Sequence, residues 1–244
     1  MKKLTNKFPL TRGQGGSLNN PYITQVQKHP KILTDLEKEI FSKKWKWKEF
    51  FGNDNEIVLE IGSGLGNFFS KMVNQNLDKN FIAMEIRYKR CFVTAEKTLW
   101  NMKNNDQSVD NTNLEKYNPN FVVLKDYAEN INKIFDWNEL TDTLIFFPDP
   151  WARKKSWLKR RLLQKEFLDK LYIITKKWWK MIFKTDHLWY FLFVLEEIKK
   201  TSWKLIFKTF DYEQDWLYEN NSITEFEQIF RWQKIKINYL ELEK

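Results

Sequence analysis

Cysteine and long apolar runs are scarce in this chain of 244 residues. The one cysteine, Cys91, excludes a disulfide framework within the chain and a zinc site built on paired cysteines. No apolar run approaches the ~20 residues that a membrane-spanning helix needs. The basic N-terminus is not followed by the apolar stretch of a secretory signal. We therefore expect a soluble, cytoplasmic protein with no membrane contact.

Negative charge is also in deficit, since 41 Lys and Arg stand against 32 Asp and Glu, giving a net charge of +9. Such an excess favours a polyanionic partner, because neutralising phosphates releases counterions. Neither His29 nor His187 stands in a pattern of metal ligands or catalytic partners. We therefore expect no metal, and the oligomeric state stays open between monomer and homodimer.

Strand-like and helical runs alternate along the chain. The strand-like runs are residues 56–61, 80–86, 120–125, 143–147, 178–184, 202–210 and 233–240. A helix is predicted over residues 161–172, because Leu163, Phe167 and Leu171 recur every four positions. This alternation predicts an α/β fold with a mostly parallel sheet and helices on both faces.

Composition suggests how the chain is organised around this sheet. We expect an N-terminal arm over residues 1–35 and a single domain over residues 36–244. Residues 101–120 are rich in Asn and Asp, which predicts a solvated loop or insertion.

Glycine is rare as well, with seven in the chain and none after Gly66, yet Gly62, Gly64 and Gly66 fall within five residues. They follow a buried strand-like run and precede a helix, where glycine lets backbone N–H groups reach a ligand. A dinucleotide site has the pattern G-x-G-x-x-G, but position 67 is Asn and the third glycine comes one residue early. Glu60 instead completes the E-x-G-x-G-x-G arrangement of S-adenosylmethionine sites. A tight turn that binds no ligand is the alternative interpretation.

Two further acids end the next two strand-like runs. Glu85 closes the second run, where a carboxylate can accept both hydroxyls of a ribose. Asp126 closes the third, where a carboxylate can reach an adenine amino group. Any one of them could be a solvated strand end, but ligands of open α/β sheets bind at this edge. The three acids together predict a nucleotide-cofactor site.

The fourth strand-like run leads into Pro148-Asp149-Pro150, where the prolines restrict the backbone around the acid. Residues 152–161 then carry six positive charges and no acid. A solvated helix face is the ordinary explanation of such a run. Its place directly after a strand-end acid favours phosphate binding instead, and the residues predicted to bind phosphates are Lys159, Arg160 and Arg161.

These motifs resemble those of the bacterial tRNA (guanine-N7)-methyltransferase family. The resemblance rests on residues 146–151 (FFPDPW), followed after basic residues by 159–162 (KRRL). Shorter matches occur in the family's order at residues 10–14 (LTRGQ), 59–62 (LEIG), 185–187 (TDH) and 224–227 (TEFE). The combination of Pro-Asp-Pro-Trp with Lys-Arg-Arg is highly specific to that family.

The resemblance implies a seven-stranded Rossmann-like methyltransferase fold and, as substrate, the variable-loop guanine at tRNA position 46. It implies cofactor contacts from four acids, in addition to the glycines: Glu60, Glu85, Asp126 and Asp149. It implies substrate contacts from a second set: Arg153 or Lys154, Asp186, Thr224, Glu225, Phe226 and Glu227. The basic stretch is one residue longer than the family's, so Arg153 and Lys154 both remain candidates for the family's lysine. Glu225 stands where the family often has a basic residue, and the Asn-rich segment lies outside the family's pattern.

Methylation of guanine N7 needs no general base, because N7 carries an in-plane lone pair and no proton. Catalysis then rests on orientation, exclusion of water and stabilisation of the cationic purine. Asp149 is the candidate catalytic residue and Asp186 the second, and the target guanine is expected to be drawn out of the folded tRNA. Three alternatives remain: a NAD-dependent dehydrogenase, a noncatalytic RNA-binding protein of this fold, and a methyltransferase acting on ribosomal RNA or protein.

Overall fold

The computed structural model describes residues 20–34, 40–105, 120–214 and 223–244. The family-like segment at residues 10–14 lies outside these ranges, as does most of the Asn-rich segment, residues 106–119. No helix within the described ranges is both long enough and apolar enough to cross a bilayer.

The described residues form one sheet of eight strands. In chain order the strands are β1 (Ile32–Thr34), β2 (Ile57–Ile61), β3 (Asn80–Glu85), β4 (Phe121–Lys125), β5 (Thr143–Phe146), β6 (Lys180–Thr185), β7 (Lys204–Thr209) and β8 (Asn238–Glu243). Their spatial order is β1-β4-β3-β2-β5-β6-β8-β7, and only the β6–β8 and β8–β7 pairings are antiparallel. The predicted α/β fold with a mostly parallel sheet is confirmed.

The sheet has one strand more than the seven predicted, because the short strand β1 pairs in parallel with β4. Three residues carry too little periodicity to be recognised in sequence, and the pairing with β4 makes this segment a strand. Residues 21–34, which fall in the expected N-terminal arm, thus contribute a helix and a strand to the fold.

Helices cover both faces of the sheet. They are α1 (Pro21–Lys28), α2 (Trp47–Phe51), α3 (Asn67–Gln75), α4 (Tyr88–Asn105), α5 (Ile131–Ile134), α6 (Lys165–Ile174), α7 (Leu188–Ile198) and α8 (Glu225–Trp232). Successive strand residues point to opposite faces. On β2, Val58 therefore packs in the cluster built with α1, α3 and α4, whereas Leu59 packs in the cluster built with α2, α5, α6 and α7.

Two helix boundaries differ from the sequence-based expectation. Helix α4 continues to Asn105, so residues 101–105 are helical and not a loop. Buried Met102 keeps the apolar face of α4 against the core, and this packing overrides the local Asn-rich composition. Helix α6 begins at Lys165 and not at Arg161, since residues Lys155–Arg160 form a 3-10 turn and Arg161 is extended.

The strand order creates a crevice between β2 and β5. Strand β2 lies between β3 and β5, so the chain proceeds outward from β2 in one direction and later in the other. In open α/β sheets ligands bind at the carboxyl edge of such a reversal point. The glycine cluster follows β2 and the Pro-Asp-Pro segment follows β5, so both predicted motifs lie at this edge.

Candidate active site

The loop after β2 contains three glycines with left-handed φ angles: Gly62 (84°), Gly64 (60°) and Gly66 (72°). The Gly62 N–H donates to the carbonyl of Met84 at 2.7 Å, which fixes the loop against β3. A Cβ added to Gly62 would have no atom within 4 Å, whereas a Cβ added to Gly66 would lie 2.8 Å from Cα of Thr94. Gly66 therefore permits α3 to pack closely on α4, and Gly62 borders open space that a ligand can enter.

Two acids lie next to this loop: Glu60 near the end of β2 and Glu85 at the end of β3. Burial raises the pKa of Glu60 to about 8, with a further contribution from the nearby Glu85 carboxylate. Its Oε2 atom is buried and has no hydrogen-bond partner among the described residues. Burial also raises the pKa of Glu85, although its Oε1 accepts backbone N–H groups of Ile86 and Arg87 at 2.9 Å each. Both carboxyls thus suit a ligand that brings hydroxyl or ammonium donors, and a nucleoside carrying an amino acid has both.

Asp126 follows β4, as predicted, and is fully buried. Its Oδ1 accepts the Tyr127 N–H at 2.6 Å and the Asn130 side-chain amide at 2.9 Å. These bonds close the short 3-10 turn Ala128–Asn130. Asp126 therefore shapes the third strand end, and its contact with adenine remains a prediction.

The Pro148-Asp149-Pro150 turn is flanked by two residues with positive φ: Phe147 at 51° and Trp151 at 46°. Such angles are unusual for bulky side chains and persist only where surrounding contacts enforce them. The Phe147 N–H donates to the carbonyl of Lys184 at 2.8 Å, and the Arg161 Nε–H donates to the carbonyl of Pro150, also at 2.8 Å. The turn is thus fixed on both sides of Asp149, whose side chain is exposed.

Arg161 differs from the two basic residues that precede it. Only 6% of Arg161 is exposed, and its guanidinium lies over the rings of Tyr190 and Phe193 at 5.0 and 4.8 Å. Lys159 and Arg160 are exposed. Arg161 thus holds the Pro-Asp-Pro turn, and Lys159 and Arg160 are the exposed cations; phosphate binding by these three residues remains a prediction.

Residues 224–227, which were predicted to contact substrate, have two different placements at the start of α8. Thr224 and Glu227 are buried, whereas Glu225 and Phe226 are partly or fully exposed. The Thr224 hydroxyl caps α8 by accepting the Glu227 N–H at 3.1 Å. Glu227 is 1% exposed and forms ion pairs with Lys184 at 3.1 Å and Arg231 at 3.2 Å. Burial lowers the pKa of Lys184, and the Glu227 carboxylate opposes that effect. Thr224 therefore caps α8, and Glu227 fixes the helix to β6.

Glu225 and Phe226 point away from that anchor. The Asn67 side-chain amide, at the start of α3 directly after the glycine loop, donates to the Glu225 carboxylate. Phe226 is exposed and packs against Phe147 with ring centroids 6.0 Å apart. The start of α8 thus lies next to both the glycine loop and the Pro-Asp-Pro turn. Asp186 follows β6 and is partly exposed, while Arg153 and Lys154 are exposed beyond the turn.

A cavity of about 460 Å³ opens between α3, α4 and the start of α8. Asn67, Lys97, Trp100 and Glu225 contribute to its lining, and the four predicted acids do not. The acids instead lie at or just beyond the carboxyl ends of β2, β3, β4 and β5. Within the described ranges, no cluster of three or more His, Cys, Asp or Glu residues could hold a metal ion.

Lys184 and the anchoring role of Arg161 were not predicted from sequence. Lys184 interrupts the apolar run Met181-Ile182-Phe183, and a lysine inside a buried strand is a usable sign of an internal ion pair. The partner, Glu227, lies 43 positions away, so only the folded structure identifies it.

Comparison with known proteins agrees with this geometry. A protein-family model described as "Putative methyltransferase" matches residues 54–240. A tRNA (guanine-N(7)-)-methyltransferase of Clostridioides difficile is 34% identical over 209 residues, which is 86% of this chain and 90% of the relative. One of Lactobacillus helveticus is 31% identical, covering 87% of this chain and 91% of the relative.

A bifunctional glycosyltransferase/methyltransferase of Fusobacterium nucleatum is 35% identical over 92% of this chain, which spans only 33% of that relative's length. Among solved structures, the 16S rRNA methyltransferase KamB gives a TM-score of 0.54 at 14% identity, covering 81% of this chain and 91% of the other. An antibiotic-related methyltransferase gives 0.52, also at 14% identity, covering 86% and 92%. At such identities the likeness shows the fold alone. The resemblance found in sequence is confirmed, and the chain belongs to the tRNA (guanine-N7)-methyltransferase family.

Proposed function

We propose that this protein transfers a methyl group from S-adenosylmethionine to N7 of the variable-loop guanine, position 46, of tRNA. The observation that carries the proposal is the pairing of β2 with β5. It brings the glycine loop and the buried carboxyl of Glu60 next to the fixed turn that presents Asp149. Both elements lie in a chain whose relatives of similar length are named as such methyltransferases.

S-adenosylmethionine supplies a methyl group already activated by a positively charged sulfur. In this proposal Gly62 and Gly64 admit the cofactor to the backbone of the loop. The acids that contact it are Glu60, Glu85, Asp126 and Asp149. Glu60 and Glu85 are the strongest candidates because burial raises the pKa of both carboxyls, which favours a ligand that brings hydrogen-bond donors or positive charge.

Asp149 is the proposed catalytic residue. The purine gains positive charge as the methyl group binds N7, and a fixed carboxylate beside it stabilises that charge without reorganising. The two anchors of the turn, at Phe147 and Pro150, keep Asp149 in place before the substrate arrives. Asp186, at the end of the neighbouring strand β6, is the second candidate for holding the guanine.

The exposed residues around the turn are the proposed tRNA contacts. Arg153 or Lys154 would contact the substrate beside Asp149, and Lys159 and Arg160 would bind phosphates, which fits the net charge of +9. On α8, Glu225 lies beside the glycine loop and Phe226 beside the Pro-Asp-Pro turn, while Thr224 caps the helix and Glu227 anchors it to β6. We further propose that the protein is cytoplasmic and is a monomer or a homodimer.

Incubation with methyl-labelled S-adenosylmethionine and mixed tRNA tests the function. Label should enter tRNA, and chain cleavage specific to N7-methylguanosine should release it from the variable loop. A tRNA transcript with adenine in place of that guanine is the matched control and should accept no label. Label in the control, or label that survives N7-specific cleavage, would contradict the proposal.

A further inference from the structure

Two tryptophans and two cations form a compact group beyond the Pro-Asp-Pro turn, here called the Trp151 cluster: Trp151, Lys154, Trp157 and Arg160. The indole rings meet edge to face with centroids 5.8 Å apart. The Arg160 guanidinium lies 5.3 Å from the Trp151 ring centroid and 5.6 Å from that of Trp157. The Lys154 ammonium lies 5.5 Å from the Trp157 centroid.

Core packing does not account for this group. Both rings are only half-buried, and neither belongs to the hydrophobic clusters formed by the described residues. The 3-10 turn Lys155–Arg160 brings Trp157 and Arg160 back onto Trp151. Two half-buried indoles with cations beside them match the way proteins bind unstacked nucleotides, in which aromatic or guanidinium planes stack on a base and cations bind its phosphate.

The cluster is rigidly connected to the proposed catalytic residue. Trp151 lies two residues after Asp149, so their Cα atoms are within about 8 Å of each other. Its positive φ of 46° aims the ring, and the bond from Arg161 to the Pro150 carbonyl fixes the backbone immediately before it. This spacing suits two adjacent nucleotides of one RNA strand, with the guanine at Asp149 and its neighbour at the cluster.

We propose that the Trp157 ring stacks on the nucleobase adjacent to the target guanine, with the Trp151 ring packed edge to face against it, and that Arg160 binds the phosphate between the two nucleotides. Drawing a guanine out of the tRNA breaks its stacking with its neighbours, which costs free energy. A protein ring that replaces the lost stacking partner offsets that cost. This inference rests on the proposed function and specifies how the substrate is held.

The test combines variants of the cluster with tRNA that lacks the neighbouring base. Dissociation constants are measured for intact tRNA and for tRNA with an abasic nucleotide on the 5′ or 3′ side of the target guanine. Trp157→Leu should weaken binding of intact tRNA about 5- to 150-fold, because stacking on one aromatic ring is worth about 1–3 kcal/mol per base. Trp157→Phe, which keeps an aromatic face, should recover most of this loss.

The abasic tRNA decides between stacking and a structural role. Wild-type protein should lose a similar factor on one of the two abasic tRNAs, and Trp157→Leu should lose little further on that same tRNA. If both abasic tRNAs bind wild-type protein as tightly as intact tRNA does, or if the two losses multiply, the rings do not stack on a base. The wild-type result with abasic tRNA holds even if Trp157→Leu fails to fold.

Trp178 provides a matched control. It has a positive φ of 72°, is 67% exposed and lies under the Lys177 ammonium at 4.6 Å, so its local chemistry resembles that of the cluster. It precedes β6, about 20 Å from the carboxyl edge of the sheet. Trp178→Leu should leave tRNA binding unchanged.

Methylation of intact tRNA by the wild-type protein, measured in the same samples, tests the proposed function separately from the stacking site.

Discussion

The buried ion pair between Lys184 and Glu227 should contribute more to the position of α8 than any other polar contact of that helix. The side chains of the pair are 3% and 2% exposed, and the Lys184 ammonium also lies 4.1 Å from the ring centroid of Tyr212. Removing one partner of such a pair leaves an uncompensated buried charge and costs about 3–5 kcal/mol. We expect Glu227→Leu to fall in this range, and Lys184→Met near its lower end because Arg231 still binds Glu227.

Replacing both partners should restore much of the loss, since a buried pair and apolar side chains of similar size often give similar stability. Urea unfolding of wild type, Lys184→Met, Glu227→Leu and the double variant forms a double-mutant cycle. We expect a coupling free energy of at least about 2 kcal/mol. A Lys184→Met protein whose free energy of unfolding stays within about 0.5 kcal/mol of wild type would refute the reasoning.

The same double variant separates anchoring from direct contact with guanine. If Glu227 only holds α8, the refolded double variant should methylate tRNA at a rate within about threefold of wild type, a difference under about 0.7 kcal/mol. A stable double variant with a much larger loss of rate would assign Glu227 to the substrate after all.

Three further predictions concern the crevice. Cofactor binding near pH 7 should release a proton from the wild-type protein but not from Glu60→Gln, because a pKa of about 8 keeps the Glu60 carboxyl protonated until the ligand's hydrogen-bond donors arrive. Calorimetry in buffers of different ionisation enthalpy measures this proton release. The Glu60 carboxyl should also make the free energy of unfolding of the wild-type protein fall as pH rises from about 4.5 to about 8, since the folded chain retains a proton that the unfolded chain has lost. Gly62→Ala should cost only about 1–2 kcal/mol of stability for its left-handed φ yet weaken cofactor binding, whereas Gly66→Ala should destabilise more because its Cβ meets Thr94; equal unfolding losses would contradict this. Asp149→Asn should slow single-turnover methyl transfer roughly 30- to 1000-fold at saturating substrates, and a rate within about threefold of wild type would mean that Asp149 only shapes the turn.

The parts of the fold that the sequence predicts are those set by local pattern. The apolar runs of β2 to β5 and the glycines after β2 are each encoded within a few neighbouring residues. The helical end of α4 was missed because buried Met102 decides it through packing in the cluster that α4 forms with α1 and α3, against its Asn-rich surroundings. Strand β1 was missed because its pairing with β4, 91 positions away, defines it.

The candidate site shows the same division. Glu60, Glu85, Asp126 and Asp149 could be named because each lies at or just beyond the carboxyl end of a strand, and parallel strand ends meet at one edge. The role of Arg161 could not be read from its basic neighbours, because its partners are a carbonyl in the preceding turn and two rings on α7. Charge runs in sequence therefore do not distinguish an exposed cation from a buried one.

The central claim, methyl transfer to N7, is tested most directly by changing that one atom. A tRNA carrying 7-deazaguanosine at the target position has a carbon in place of N7 and keeps the Watson–Crick edge of guanine. Methyl transfer to this tRNA is measured beside transfer to the unmodified tRNA, with tRNA binding measured for both. We predict about one methyl group per unmodified tRNA and none on the 7-deaza tRNA, although the 7-deaza tRNA should still bind. Equal methylation of the two tRNAs would contradict the account.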